Sequence, residues 1–279
     1  MIRQYKWVLF ISTCLPLWAA SQQPVPPQQF YTSTGAYSQS PADPISAIDQ
    51  TAALAGIHSA ALGVTGVRPY LLSGLNQYRL YATLPAAAGS FAFKASAKGG
   101  GGYTARIAGL AYARQLGERL SAGLCFTYNS IKIDGYGSTA VPSAEAGLLL
   151  HITRTFHAGW QLKNPAGIKW GVNKQEQLPL LYVFGFGYEP SAAFYCSTEI
   201  IKEEEKQAEV SVSFQYRPTD QFWVKAGLYT TTPHAWAGAG FQFSRCRFDL
   251  FVSYHPQLGF TPGTGIIFQF KKQENEKGL

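Results

Sequence analysis

The chain has 279 residues, a net charge of +7 and only 14% charged residues. Soluble domains average about 25% charged residues, and this chain is instead rich in Tyr, Phe and Gly, which favours β-structure over a helical bundle. Its basic residues are scattered and form no stripe interleaved with aromatics, so the sequence argues against a nucleic-acid-binding protein.

The N-terminus has the features of a secretory signal peptide. Arg3 and Lys6 form a positive region, Trp7 to Trp18 is a short apolar run, and Ala19 to Ser21 supplies small residues for cleavage. An apolar run of about 12 residues is shorter than the roughly 20 that a transmembrane helix needs. We therefore predict a signal peptide over residues 1–21 and secretion of the mature chain.

Residues 22–56 are predicted to form a periplasmic leader followed by a plug. The stretch from Gln22 to Pro44 is rich in Pro and Gln, as flexible leaders are. A short helix running through Ala55 should follow, with Asp43 as its cap and Pro44 at its first position. The candidate plug residues are Asp43, Pro44, Ile45, Ile48 and Asp49.

From Ile57 onward the chain becomes a series of alternating segments separated by turn residues. Between Leu120 and Lys132, for example, every second residue up to Tyr128 is apolar. A hydrophobic period of two indicates β-strands. About fourteen strands are predicted, over 57–67, 75–84, 89–98, 103–114, 119–132, 139–152, 155–164, 178–188, 193–201, 208–217, 222–230, 236–243, 247–255 and 264–270.

The links between these strands alternate in length. One set is short, such as Pro218 to Gln221, and the other is generally longer, such as Pro165 to Gln177. Outer-membrane barrels alternate short periplasmic turns with longer external loops. We therefore predict an all-β transmembrane antiparallel barrel over 57–270, in the outer membrane of a Gram-negative bacterium. Both termini, including the polar tail 271–279, should be periplasmic, and outer-membrane lipid is the expected partner.

Charged residues on the polar strand faces are the candidate lumen-lining residues. A lysine on the lipid-facing side would cost about 2–4 kcal/mol near the membrane midplane, so such residues should point inward or lie near a rim. They could form a salt-bridge network that holds the barrel shut, or they could line a path for a solute. The candidates are Lys94, Arg106, Glu145, Glu199, Lys225 and Asp249.

No motif points to catalysis, a metal or a cofactor. The five histidines form neither an HExxH motif nor a close cluster with Cys or Asp, and the Gly-rich stretch from Lys98 to Gly102 lacks the GK[ST] of a phosphate-binding loop. There is no G-x-S-x-G motif. We predict that the protein is not an enzyme, with an envelope lipid hydrolase as a weaker alternative.

Three stretches carry a family resemblance: Leu110 to Leu124, Ala158 to Pro165, and Phe248 to Pro262. They resemble segments of Bacteroidetes outer-membrane barrels related to PorV and PorQ, which are themselves similar to the FadL transporters. The resemblance implies a fourteen-stranded barrel with an N-terminal plug. It further implies that the protein is a component of a type IX secretion or envelope assembly and that its partners are envelope or secretion proteins. The alternative is a FadL-like channel for hydrophobic small molecules.

Overall fold

A computed structural model describes residues 31, 33–39, 43–135, 137–170, 176–204, 206–230 and 234–270. The predicted signal peptide, most of the predicted leader and the predicted tail 271–279 lie outside these residues. No helix in the described part of the chain is long and apolar enough to cross a membrane.

The described residues form three short helical elements and sixteen strands. The helices are α1 (Ser46–Asp49) and two 3-10 turns, Thr51–Gly56 and Pro69–Leu71. The strands are β1 (Ala61–Val67), β2 (Asn76–Ala86), β3 (Gly89–Gly100), β4 (Tyr103–Gln115), β5 (Leu120–Ile133), β6 (Gly137–His151), β7 (Phe156–Lys163), β8 (Lys169–Trp170), β9 (Glu176–Gln177), β10 (Leu181–Ser191), β11 (Phe194–Glu203), β12 (Glu209–Thr219), β13 (Phe222–Tyr229), β14 (His234–Phe243), β15 (Cys246–His255) and β16 (Gly259–Gln269).

Fourteen of these strands close into one antiparallel barrel, as the sequence predicts. Each strand pairs with the next along the chain, and β1 pairs with β16 from Ala61 opposite Gln269 to Val67 opposite Gly263. The small strands β8 and β9 are separate and form a two-stranded ribbon within the link between β7 and β10. Closure matters because it leaves no unpaired strand edge in the wall.

The barrel has two different ends. At the terminal end, where β1 begins and β16 ends, the strands are joined by the links 87–88, 116–119, 152–155, 192–193, 220–221 and 244–245. At the opposite end, here called the loop end, the links are 68–75, 101–102, 134–136, 164–180, 204–208, 230–233 and 256–258. The predicted alternation of shorter and generally longer links therefore holds, although the link 101–102 is itself short.

Most predicted strand boundaries differ from the structure by no more than about three residues, and two differ by more. The first strand begins at Ala61 rather than at residue 57, because the preceding residues connect the lumen to the wall. The last strand begins at Gly259 rather than at residue 264, because Gly259 already pairs with His255. The last loop-end link is consequently much shorter than the predicted Pro256 to Gly263.

The strands separate a buried inner face from an apolar outer face. In β13, Trp223, Lys225 and Tyr229 are buried, whereas Val224 and Leu228 are 39% and 61% exposed. The same period of two runs around the wall, and its outward positions are dominated by exposed Leu, Phe, Tyr, Ile and Val. An apolar surface of this extent is unfavourable in water and suits contact with lipid.

Candidate functional site

The barrel lumen is occupied by the N-terminal segment of the same chain. We call residues 31, 33–39 and 43–56 the plug segment. Its apolar residues, including Ile45, Ile48 and Leu54, are buried against inward-facing small residues of the wall such as Ala111 and Ala113. These alanines leave room that larger inward side chains would fill, and the plug segment packs into that room.

A patch of inward-facing glycines lets the plug segment approach the wall closely. A Cβ atom added at Gly185 would overlap the ring of Tyr37, and one added at Gly123 would meet the main chain of Thr51. Only glycine permits contacts this close. The patch lies on β5, β6, β7 and β10, and its members Gly123, Gly147, Gly159 and Gly185 are paired in register as Gly123 with Gly147 and Gly159 with Gly185.

Asp43 fastens the plug segment to the opposite side of the barrel. Its Oδ2 atom lies 2.8 Å from Nη2 of Arg247 and 3.1 Å from Nζ of Lys225, and all three side chains are buried. Its Oδ1 atom accepts a hydrogen bond of 2.9 Å from the backbone N–H of Ile45. Burial alone would raise the pKa of Asp43, but the adjacent guanidinium and ammonium groups hold that pKa well below its usual range. Asp43 is therefore ionised near neutral pH.

Tyr31 continues this network toward the loop end. Its hydroxyl donates to Oδ1 of Asp249 over 2.6 Å, and Oδ2 of Asp249 receives the Nε–H of Arg247 over 2.7 Å. The Tyr31 ring stacks on Phe251 at 4.5 Å between centroids and lies 4.8 Å from Nζ of Lys225. Around this ring is an apolar cluster of Val67, Val183, Ile201, Tyr229, Trp236 and Phe251.

A second ion pair joins the plug segment to β2. Nη1 of Arg79 lies 3.4 Å from Oδ1 of Asp49, and the same nitrogen donates to the hydroxyl of Tyr81 over 3.4 Å. The two charged side chains are 15% and 12% exposed, so this pair is less buried than the one at Asp43. We expect it to contribute less to holding the plug segment.

Glu199 is a buried wall carboxylate whose donors come from the plug segment. It accepts hydrogen bonds from the hydroxyl of Tyr37 over 3.0 Å and of Ser33 over 3.2 Å. Among the described residues, no lysine or arginine lies within ion-pair distance of Glu199. Burial, together with the nearby carboxylate, raises the pKa of Tyr37, which keeps its hydroxyl protonated as a donor.

The wall pair Lys94 and Glu145 also reaches the plug segment. Nζ of Lys94 lies 2.8 Å from both carboxylate oxygens of Glu145. The side-chain amide of Gln161 donates both to Glu145 and to the hydroxyl of Thr51, each over 3.2 Å. A lumenal salt-bridge network therefore exists, and it includes atoms of the plug segment as well as of the wall.

The structure places most predicted site residues in the lumen, with one exception. Lys94, Glu145, Glu199, Lys225 and Asp249 point inward, and the plug candidates Asp43, Pro44, Ile45, Ile48 and Asp49 lie inside the barrel. The prediction that Arg106 lines the lumen is wrong. Arg106 is exposed on the outer face, because the inward positions of β4 are the odd-numbered ones, including the buried Gly109 and Ala111.

The predicted helix from Asp43 to Ala55 is also corrected. The chain forms the single turn of α1, an extended residue at Gln50, and then the 3-10 turn Thr51–Gly56. Asp43 does not cap α1, whose N-cap is Ile45. The plug segment moreover begins earlier than predicted, because Tyr31 and Tyr37 in the predicted leader are 2% and 1% exposed.

Two histidines meet at the terminal end. Nδ1 of His151 lies 2.9 Å from Nδ1 of His157 across the β6–β7 turn, and Nε2 of His157 lies 3.7 Å from Glu189. Glu189 also accepts the backbone N–H of Gln39 over 3.2 Å. Within the described ranges, no group of three His, Cys, Asp or Glu residues is arranged to hold a metal ion.

An apolar recess of about 650 Å³ lies on the outer face over β12 to β16. Its rim includes Phe214, Tyr216, Leu250, Val252 and Pro262, and its floor is formed partly by Gly238. A Cβ atom added at Gly238 would meet the ring of Tyr31 on the inner side. At this point only the main chain of β14 separates the recess from the plug segment.

Comparison with known proteins identifies other barrels of similar fold. No protein-family model and no curated protein matches the chain. The solved structures that match over most of their length include the Ralstonia pickettii toluene transporter TbuX (TM-score 0.62, 9% identity, 85% of this chain and 95% of that one), the Pseudomonas putida toluene transporter TodX (0.58, 10%, 85% and 95%) and a Pseudomonas aeruginosa FadL homologue (0.55, 12%, 86% and 95%).

The fold is that of a FadL-like fourteen-stranded barrel. At these identities the likeness concerns the fold alone. This likeness agrees with the resemblance of the sequence to the FadL transporters. None of the three structures named above is described as a PorV or PorQ barrel.

Proposed function

We propose that the protein is an outer-membrane channel for hydrophobic small molecules, gated by its plug segment. The observation that carries this proposal is a plug segment fastened by buried polar contacts inside a FadL-like barrel. Ion pairs such as that of Asp43 with Arg247 hold the plug segment in the lumen. Such contacts can break and form again without a change in the strands of the barrel wall. Two of the compared structures are named as toluene transporters, which supports an apolar solute.

The proposed location is the outer membrane of a Gram-negative bacterium, with the terminal end in the periplasm. Closed barrels with an apolar outer face occur in that membrane, and their short turns are periplasmic. The apolar outer face and the shorter links at the terminal end support this orientation. The outward recess beside Gly238 would offer an apolar solute a resting place against the lipid.

The inner surface presents apolar groups that can contact a solute and polar groups that hold the plug segment. The cluster around Tyr31 and Phe251 would receive the apolar body of a solute arriving from the loop end. Movement of the plug segment would withdraw Tyr31 from this cluster and break its bond to Asp249. Because the plug segment and the wall share these contacts, solute entry and plug release are coupled in this proposal.

Deleting residues 43–55 tests the proposal. The measurements are liposome swelling with a small sugar and whole-cell uptake of a labelled long-chain carboxylate or of toluene, each with the full chain and with the deletion. We expect the full chain to take up the hydrophobic probe and the deletion to admit the sugar. The transport proposal fails if the deletion opens no conductance and uptake is unchanged. Heat-modifiable migration of the deleted form verifies that its barrel is folded.

Membership of a type IX secretion or envelope assembly remains a prediction from the resemblance to PorV and PorQ. No contact among the described residues favours it over transport. Affinity purification from mild detergent tests it: stoichiometric co-purification of envelope proteins would support an assembly role, and a pure monomer with measurable uptake would count against it.

A further inference from the structure

The charged residues on the outer face of the barrel wall are all basic among the described strand positions. They are Arg106, Arg114, Lys132 and Lys202. The acidic wall residues, such as Glu145 and Asp249, point inward instead. An outer face that carries cations but no carboxylates is complementary to an anion supplied from outside the protein.

Arg106 and Lys132 are neighbours on this face. Arg106 is opposite Ser130 in the β4–β5 register, and Lys132 is opposite Thr104, so the two cations occupy diagonal positions. Diagonal neighbours lie about 7–8 Å apart, with their Cβ atoms somewhat closer, which is within reach of long side chains. Arg106 and Lys132 can therefore contact one anionic group together.

Arg106 and Lys132 lie at the edge of the apolar outer surface that is nearer to the loop end. Tyr128 lies one row below Arg106 and is 57% exposed, and Leu110 and Phe126 lie in the next row, 67% and 68% exposed. Aromatic residues mark the membrane–water interface of barrels, where lipid headgroups begin. The two cations are thus positioned at the depth of headgroup phosphates at the loop end.

The protein itself leaves these cations largely unneutralised. The side chain of Arg106 makes no hydrogen bond or ion pair with any residue in the described part of the chain. Lys132 lies 3.7 Å from Asp134, but both side chains are 69% exposed, and such a pair is weak in water. The outward neighbours of Arg106, Ala97 on β3 and Ser130 on β5, are small, so its guanidinium can be approached from the side.

We propose that Arg106 and Lys132 bind the phosphate of a phosphorylated lipid in the leaflet at the loop end. The guanidinium offers paired donors that suit phosphate oxygens, and the ammonium adds a second charge. The proposal rests on the membrane location given above, but not on transport. The other two outward cations lie apart: Arg114 is near the terminal end, and Lys202 donates to the carbonyl of Lys206.

Lipid retention in non-ionic detergent provides the test. The purified full chain is mixed with diphosphorylated lipid A or with the same lipid after removal of its phosphates, and bound lipid is measured by native mass spectrometry. The test variant is R106Q/K132Q. The matched control is R114Q/K202Q, which removes the same residue types from the same face. Heat-modifiable migration verifies that each variant is folded.

A cation that contacts an anionic headgroup contributes about fivefold to lipid binding, so R106Q/K132Q should bind the diphosphorylated lipid about thirtyfold more weakly, while R114Q/K202Q, whose two residues lie apart from the proposed site, stays within about twofold of the wild type. Equal binding by R106Q/K132Q and the wild type would overturn the proposal, as would equal binding of the dephosphorylated lipid. Displacement of the lipid by millimolar inorganic phosphate would identify a free-anion site and also overturn it. Solute uptake by R106Q/K132Q should be normal, which separates this test from that of the channel.

Discussion

Replacing Asp43 by asparagine should release the plug segment from the wall and leave the closed ring of hydrogen-bonded strands intact. The substitution keeps the size of the side chain but removes the charge that Arg247 and Lys225 contact at 2.8 and 3.1 Å. Removing one partner of a buried ion pair costs about 3–5 kcal/mol. Arg247 keeps Asp249 at 2.7 Å, so we expect the lower value. About 3 kcal/mol corresponds to a roughly 150-fold rise in the ratio of released to docked plug.

Amide hydrogen exchange of residues 45–54 in detergent or nanodiscs measures this ratio directly. The control is D49N, because Asp49 is 3.4 Å from Arg79 in a less buried pair worth about 1 kcal/mol, or about fivefold in exchange. The double variant D43N/K225M should regain part of the protection, since it removes the uncompensated ammonium. Exchange in D43N that is equal to the wild type, or no faster than in D49N, would refute the role assigned to Asp43.

Three further outcomes are expected. G185A should displace Tyr37 and raise sugar conductance. The control G117A, where an added Cβ atom meets nothing within 4 Å, should behave as the wild type. Equal sugar conductance in G185A and the wild type would contradict the close approach of Tyr37 to Gly185. The difference in exchange protection between the wild type and D43N should be the same at pH 7 and pH 5. The pKa of Asp43 is lowered in the folded protein, so its stabilising contribution is lost only as the pH falls below about 4, the pKa of an unfolded aspartate, toward the lower pKa of the folded state. A smaller difference at pH 5 would contradict this lowered pKa. The protein should migrate differently on SDS gels before and after heating and be recovered with outer membranes, whereas recovery as a soluble protein would argue against the barrel in lipid.

The strands were predictable from sequence because their period of two is local and strong. Residues such as Val224 and Leu228 alternate with Lys225 and Tyr229, and that pattern assigns both faces of β13. Arg106 could not be assigned in this way. Its strand places small residues on both faces, so hydrophobicity does not distinguish them, and only pairing with the neighbouring strand Leu120–Ile133 fixes the side on which Arg106 lies.

The extent of the plug segment was less predictable. Tyr31 and Tyr37 lie in a polar stretch that looks like a flexible leader, and their burial depends on contacts with strands more than 100 residues away, such as that of Tyr37 with Glu199. One signal was available in the sequence. Glycines recur at inward positions of successive strands, including Gly147 and Gly185, and a row of inward glycines indicates that another segment lies against the wall.

A disulfide between the plug segment and the wall tests the central claim, that the plug segment moves to admit a hydrophobic solute. A Cβ atom at Gly147 would lie 3.6 Å from Cβ of Ala52, a separation that suits a disulfide. It would also lie 2.7 Å from Oε1 of Gln50 and 3.1 Å from the backbone nitrogen of Ala52, so the end of the flexible Gln50 side chain has to move aside, and wild-type uptake by the reduced variant is the control for that change. In a chain whose native cysteines are replaced by serine, A52C/G147C is compared under oxidising and reducing conditions for uptake of the labelled long-chain carboxylate or toluene. We predict that uptake falls at least about tenfold on oxidation and returns on reduction. Equal uptake in both states would show that the solute passes without movement of the plug segment and would contradict the claim.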